Sequence, residues 1–375
     1  MAKILIISSS NLSKDPRVLR QIKALKGSHE IITCGLSSSE IDGIEEFSLL
    51  FRPSKLQPLF VRGLNLLRLI THSYNRLTWD NNVFENLSKM QYDLIIVNDP
   101  REMSLAVKLK KNQAVAPKIY FDLHEYFINV DDNKILNRMF RSLTDKYQGD
   151  ADVLSTVSKE IAGLYKNRYF REIKIITNAG KYYELEPQKV GSNIKMVHHG
   201  ILNRARKIEE MIDLLQFVDD RFSLDLYLLG TDKGYLEELK KRASFSNRIV
   251  FKEPVAFNQI IPMLSEYDIG LFILSDEVES YKYALPNKLF EFIQARLAIA
   301  ISPNISMKSL VEKYSNGIVS NNFKAKSLSV KLNNLSRADI FRMKSNSNTA
   351  ATELNDKVST KMLLDIVEEL TIKTL

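Results

Sequence analysis

Cysteine is almost absent from this chain, with one residue, Cys34, in 375. A single thiol excludes a disulfide framework, and its place in an apolar, strand-like run reads as a small buried hydrophobe, so a reducing, cytoplasmic setting is expected. Long apolar runs are also missing. The opening Met1-Ala2-Lys3-Ile4-Leu5-Ile6-Ile7-Ser8 is too short for a secretory signal, and no segment approaches the roughly 18 apolar residues of a membrane span. Membrane contact, if it occurs, is expected to be peripheral. No G-x-G-x-x-G fingerprint is present, which removes the main support for a dinucleotide-dependent oxidoreductase. Internal repeats and long low-complexity runs are lacking as well.

What remains is an ordinary globular composition, 45% hydrophobic and 26% charged. Its length favours two or three domains. The net charge of +8 favours anionic partners, namely a nucleotide, a phospholipid surface or nucleic acid, without choosing among them. Aromatic residues do not cluster with the basic ones as stacking platforms would require, so no nucleic-acid partner is expected; a basic nucleic-acid-binding protein stands as the alternative of another class.

Acidic residues are missing altogether from residues 47–79, which carry Arg52, Lys55, Arg62, Arg68 and Arg76. Over residues 59–77, Leu64, Leu67, Ile70, Tyr74 and Leu77 share one helical face and Asn65, Arg68, His72 and Arg76 another. A helix lying on an anionic bilayer is built this way, and so is a core-facing helix with a basic outer face.

Short apolar runs alternate with helical patterns through most of the chain. Residues 3–9, 29–35, 92–99, 118–124, 152–158 and 174–178 read as strands of a first series. A second series follows at 194–200, 224–230, 248–252, 267–274, 297–302 and 317–320. Their continuous Ile, Leu and Val imply burial on both faces, hence parallel strands covered by helices and two doubly wound α/β domains. The polar stretch 181–193 is the expected linker, giving domains over residues 1–186 and 187–356, with a helix near 357–375 crossing back to the first.

The carboxyl ends of parallel strands form the ligand crevice of such sheets, which singles out Asn98 and Asp99, Asp122 and His124, and Thr156. After the first strand, Asp15-Pro16-Arg17-Val18 opens a helix; a cap and a surface Arg are the bland reading of Asp15 and Arg17. In Tyr283-Ala284-Leu285-Pro286-Asn287-Lys288-Leu289-Phe290-Glu291, Pro286 and Asn287 interrupt the preceding pattern. Asn287 is expected to cap a helix whose apolar face holds Leu289, Phe292 and Ile293. An open helix start offers free N–H groups to an anion, Lys288 adds a charge, and Glu291 can accept the hydrogen bonds of a ribose. A capped surface helix with a solvated Lys and Glu is the alternative.

The order Ala-Leu-Pro-Asn-Lys-Leu-Phe-Glu before a hydrophobic strand resembles the donor-site motif of GT-B glycosyltransferases, most nearly glycosyltransferase family 4 and its relatives. Glu291 matches the second Glu of that family's Glu-x7-Glu motif, whereas Tyr283 stands at the first and Arg296-Leu297-Ala298-Ile299 replaces the usual Gly-Leu-Pro-Val. Lys195 to Glu210 resembles the family's strand, Gly turn and helix that bind the donor diphosphate. There Gly200 allows a close backbone approach and Arg206 matches the basic residue of the helix, while Ile201 stands where many relatives have Arg. Leu229-Gly230-Thr231 resembles a nucleotide-side turn, and Glu253-Pro254-Val255 the loop bracketing the base. Asp15-Pro16-Arg17-Val18 is similar to the start of the first helix in the same enzymes, and His124 to a residue that contacts the donor sugar.

The resemblance spans roughly residues 1–320 and implies a GT-B type fold, two Rossmann-like domains facing a cleft. It implies transfer of a sugar from a nucleoside-diphosphate sugar to a glycan or lipid-linked acceptor, without a cofactor or metal, in bacterial surface polysaccharide assembly. Gly200, Arg206, Val255, Tyr283, Pro286, Asn287, Lys288, Leu289 and Glu291 are then donor-binding residues. Arg17, Asn98 and Asp99 fall on the acceptor side, and Asp15 and His124 are the catalytic candidates, Asp15 as base if configuration inverts and His124 as a sugar-positioning group. Under retention Asp15 needs no such role. A nucleotide-sugar 2-epimerase, which shares the fold, is the enzymatic alternative.

Overall fold

A computed structural model describes residues 1–49, 81–130 and 133–372 of the chain. The basic segment 59–77, expected as a membrane-facing helix, lies outside the described residues. The chain divides into two units, residues 1–177 with 359–375, and residues 178–358.

In the first unit, strands β1 (Lys3–Ile7), β2 (Glu30–Gly35), β3 (Glu45–Ser48), β4 (Leu94–Val97), β5 (Lys118–Asp122), β6 (Val153–Thr156) and β7 (Lys174–Ile175) form one sheet. Their order is β3-β2-β1-β4-β5-β6-β7 and every pairing is parallel. β1 and β4 are apolar and buried almost throughout, as expected of central strands covered on both faces. The first-unit core gathers Ile4, Ile6, Val18, Ile22, Leu94, Ile96 and, from the C-terminal helix Asp356–Thr371, Leu363, Ile366 and Val367. Strand β3 was not legible in the sequence, because Glu45-Glu46-Phe47-Ser48 is too polar and short to read as one; pairing with β2 makes it an edge strand.

In the second unit, β8 (Ile194–Ile201), β9 (Phe222–Leu229), β10 (Ile249–Lys252), β11 (Ile269–Phe272), β12 (Ala298–Ile301) and β13 (Gly317–Val319) run in the order β10-β9-β8-β11-β12-β13, again all parallel. Each sheet therefore reverses its order beside its first strand, between β1 and β4 and between β8 and β11, where a doubly wound sheet opens its crevice. The helix Asn287–Gln294 lies tightly on β11. A Cβ at Gly270 would come within 2.3 Å of the Phe292 ring, so the glycine sets how closely that helix approaches the sheet.

Among the described residues no helix is long and apolar enough to cross a membrane. Asp152 is occupied structurally: it accepts from the Ile119 amide and from Lys110 and Lys118.

Candidate functional site

Gly200, the residue before the last of strand β8, has a φ of +141°, in the region that favours glycine. A Cβ there would come within 2.8 Å of Lys288 Nζ and 3.9 Å of Arg206 Nη1. Lys288, 88 positions further along the chain, thus meets Gly200 and the nearby Arg206 at one turn. Beyond Gly200 the chain forms a single 3₁₀ turn, Arg204–Arg206, with the Asn203 side chain accepting from the Ala205 amide at 2.9 Å.

Lys288 comes from the first turn of the helix Asn287–Gln294 and is only 5% exposed. Its Nζ lies 4.1 Å from the centre of the Phe272 ring, at the end of β11, and 3.4 Å from His198 Nε2. Among the described residues no carboxylate forms an ion pair with Lys288 or Arg206; Glu291 raises the Lys288 pKa only through space. Burial, with Arg206 adding to it, drives the Lys288 ammonium well below its ordinary pKa. His198 is held well below the usual histidine range, first by burial and then by Lys288.

The sequence places Asn287 as the cap of this helix, and the structure corrects that. Pro286 occupies the cap position in an extended conformation without a side-chain cap bond, and Asn287 is the first helical residue. Proline's fixed φ and missing N–H suit the entry to a helix, which pushes Asn287 inside. Its Oδ1 is buried without a hydrogen-bond partner. The leading N–H groups of this helix therefore have no side-chain cap.

Glu291, one turn further on, places a carboxylate oxygen 3.1 Å from His199 Nε2. His199 packs edge-on to Phe292, with ring centres 5.6 Å apart. Leu289 is fully buried and belongs to the core, Tyr283 ends the short helix Glu279–Lys282, and Val255 is a partly exposed residue of the loop after β10. His198 and His199 were not singled out in the sequence. The signal that could have found them is a doublet, from a chain with five histidines, immediately before the turn glycine of a parallel strand.

Polar residues also gather at the strand ends of the first unit. Asp15 caps the helix Pro16–Leu25, its Oδ1 accepting from the amides of Arg17 at 3.0 Å and Val18 at 3.2 Å. Arg17, read from the sequence as an exposed, acceptor-side residue, is instead buried. Its Nε donates to Asp122 Oδ2 at 2.6 Å, Nη2 to Asp122 Oδ1 at 2.8 Å and Nη1 to the Ile176 carbonyl at 3.0 Å. Asp122 also accepts from Ser155 at 2.7 Å and Gln21 at 3.1 Å. Burial alone would raise the Asp122 pKa, but the Arg17 guanidinium outweighs it and holds the carboxyl below its ordinary range. The Arg17 charge, opposed by the same burial, is in turn sustained by Asp122.

Asn98 is buried and exchanges two side-chain hydrogen bonds with Gln21, at 2.8 and 2.9 Å. Asp99 receives Nε and Nη2 of Arg101 at 2.8 and 2.7 Å. Glu102, fully buried beside Asp99, is pushed up to about 8, chiefly by burial. His124 follows β5, packs edge-on to Phe127 at 5.3 Å, and has a buried Nδ1 without a hydrogen-bond partner.

No protein-family model matches the chain, and no curated protein matches it in sequence. Solved structures do. HepE of Anabaena, in complex with UDP and glucose, superposes with a TM-score of 0.73 at 15% identity, covering 98% of this chain and 100% of that one. Sucrose-phosphate synthase from Thermosynechococcus elongatus gives 0.75 at 13% identity and covers 99% of each chain. A glycosyltransferase from Rickettsia africae gives 0.71 at 13% identity, covering 100% of this chain and 99% of that one. The chain has the GT-B fold of two Rossmann-like domains. Identity at this level carries the fold and not the reaction.

Proposed function

We propose that the chain is a glycosyltransferase, with the donor nucleoside-diphosphate sugar bound on the second unit at the Gly200 turn. The observation that carries this reading is the buried Lys288 ammonium, set beside Arg206 with no carboxylate among the described residues paired to either. Two clustered cations without an internal anion suit an anionic ligand, and a diphosphate at the uncapped start of the Asn287 helix meets both the charges and the free N–H groups. Glu291 is the proposed ribose acceptor; Tyr283, Pro286, Asn287 and Leu289 shape the donor loop, and Val255 brackets the base. Uridine is the first base to test, because HepE was crystallised with UDP-glucose.

In the transfer, the bond between the anomeric carbon and the diphosphate oxygen breaks and a bond to an acceptor hydroxyl oxygen forms. Charge develops on the leaving diphosphate, where Lys288 and Arg206 stabilise it without a metal ion. Under inversion Asp15 takes the acceptor proton, its Oδ2 serving while Oδ1 caps the helix. His124 positions the sugar and Asp99 contacts the acceptor, while the buried Asn98 and Arg17 support that side through Gln21 and Asp122. The proposed acceptor is a glycan or lipid-linked glycan of surface polysaccharide assembly, and the residue order of the donor loop favours the family 4 relatives among enzymes of this fold.

A thermal-shift panel of UDP, GDP, ADP and their sugar conjugates tests the donor reading. A ligand at 100 times its dissociation constant stabilises the native state by about 2.7 kcal/mol. No shift with any nucleoside diphosphate sinks the proposal. Asp15→Asn keeps an effective helix cap, so lost turnover with intact donor affinity supports the base assignment and near-normal turnover removes it.

A further inference from the structure

We infer that His198 is a positioning residue for Lys288, and that together they make nucleoside diphosphate binding a proton-coupled event. The inference rests on the donor reading above. Its starting point is the tautomer of His198, which the backbone fixes. Nδ1 lies 3.0 Å from the Leu271 carbonyl oxygen, and a carbonyl only accepts, so Nδ1 carries the proton. The neutral ring then presents its Nε2 lone pair to Lys288 Nζ at 3.4 Å.

Phe272 supports both partners. Its ring stacks with that of His198 at 5.6 Å between centres and offers its face to Lys288 Nζ at 4.1 Å. Lys288 is therefore held in place by a lone pair and an aromatic face, neither of which carries a negative charge. The charged or titratable groups around the pair are Arg206 from the turn after β8, His199 on the same strand and Glu291 on the lysine's own helix. Arg206 opposes a second positive charge nearby, and Glu291 is turned toward His199.

In the free protein this balance lowers the pH at which Lys288 gives up its proton; a bound diphosphate raises it. Binding above the free-state pKa of Lys288 must then take up a proton, and affinity must fall about tenfold per pH unit there, the slope for one linked proton. His198 sets where that fall begins. Removing its lone pair leaves the ammonium with one acceptor fewer and moves the onset to lower pH.

The test is calorimetry of UDP binding to the full chain at mildly alkaline pH, in two buffers of different ionisation enthalpy, repeated across pH. The wild type should take up a proton. Lys288→Arg, which stays charged throughout, should bind without uptake. His198→Phe should shift the onset downward, and His198→Gln, whose amide oxygen can accept, should restore it. If UDP binds with equal heats in both buffers and no pH slope, the proton coupling is wrong while the donor site stands. An onset that is the same in wild type and His198→Phe overturns the role of His198. If neither UDP nor GDP nor ADP binds at any pH, the donor reading itself fails and the coupling with it.

Discussion

Both units place charged residues near the strand ends of a parallel sheet, and treat them in opposite ways. In the first unit, Arg17 and Asp122 satisfy each other with two hydrogen bonds, and Ser155, Gln21 and the Ile176 carbonyl take up further sites. In the second, Lys288 is as deeply buried but has a histidine lone pair and an aromatic ring for company, with another cation close by. Taking a charge out of water costs several kcal/mol, and a protein recovers that cost only through a partner of opposite sign. A closed network therefore supports the fold, whereas an unbalanced one points to a partner from outside.

Breaking the closed network should have the largest effect. Asp122→Ala removes the carboxylate that accepts two hydrogen bonds from the buried Arg17 guanidinium, and the expected loss is about 3–5 kcal/mol of stability in urea unfolding. A loss well under this range would mean that water or a neighbour replaces the carboxylate and that the two units differ less than the geometry indicates.

Removing the unbalanced charges should act on binding instead. Lys288→Met or Arg206→Ala is expected to weaken UDP binding by about 1.5–3 kcal/mol, as for lost charge-assisted hydrogen bonds. Lys288→Met should leave unfolding stability equal or higher, because it removes a buried charge that no described carboxylate pairs. UDP affinity unchanged from wild type in both variants would eliminate the phosphate assignment.

The subtlest contrast is in pH dependence. The folded-state pKa of Asp122 is depressed, so the stability it contributes is present above the unfolded value, about 3.9, and is lost as pH falls through the folded value. Lys288 is depressed too, but as a base it works the other way. Between its lowered folded pKa and the unfolded value near 10.4 the unfolded chain binds more protons, so its contribution favours folding increasingly as pH rises. Urea titrations followed by a probe in each unit should show acid sensitivity in the first and an alkaline gain in the second that disappears in Lys288→Met. An alkaline gain that persists in the variant would assign it to another group.

The donor-side residues were the more legible part of the candidate site. Gly200, Arg206 and Lys288 could be singled out because each sits beside a strand end or helix start that local pattern reveals, and the structure brings them to one turn. Arg17 could not be read correctly, since its partner Asp122 is 105 positions away and a helix-opening arginine looks the same in sequence whether solvated or buried. Arg296 is a related case. It takes up a left-handed conformation with φ of 61° where the resembling family has glycine, and its guanidinium donates to the Tyr183 carbonyl at 2.6 Å. A left-handed backbone costs a residue with a side chain about 1–2 kcal/mol, so side-chain type alone would argue against it there.

The sequence by itself determined the architecture. Uninterrupted runs such as Ile4-Leu5-Ile6-Ile7 and Leu94-Ile95-Ile96-Val97 can only be buried on both faces, so parallel sheets and doubly wound units follow from local pattern. Tertiary structure alone decided which charges are balanced. His198 and Lys288 are 90 positions apart, Arg17 and Asp122 further still, and no periodicity in a chain reports whether a buried cation will meet a carboxylate, a lone pair or another cation. That depends on where separate strands end relative to one another, because electrostatic interaction follows distance and burial in space.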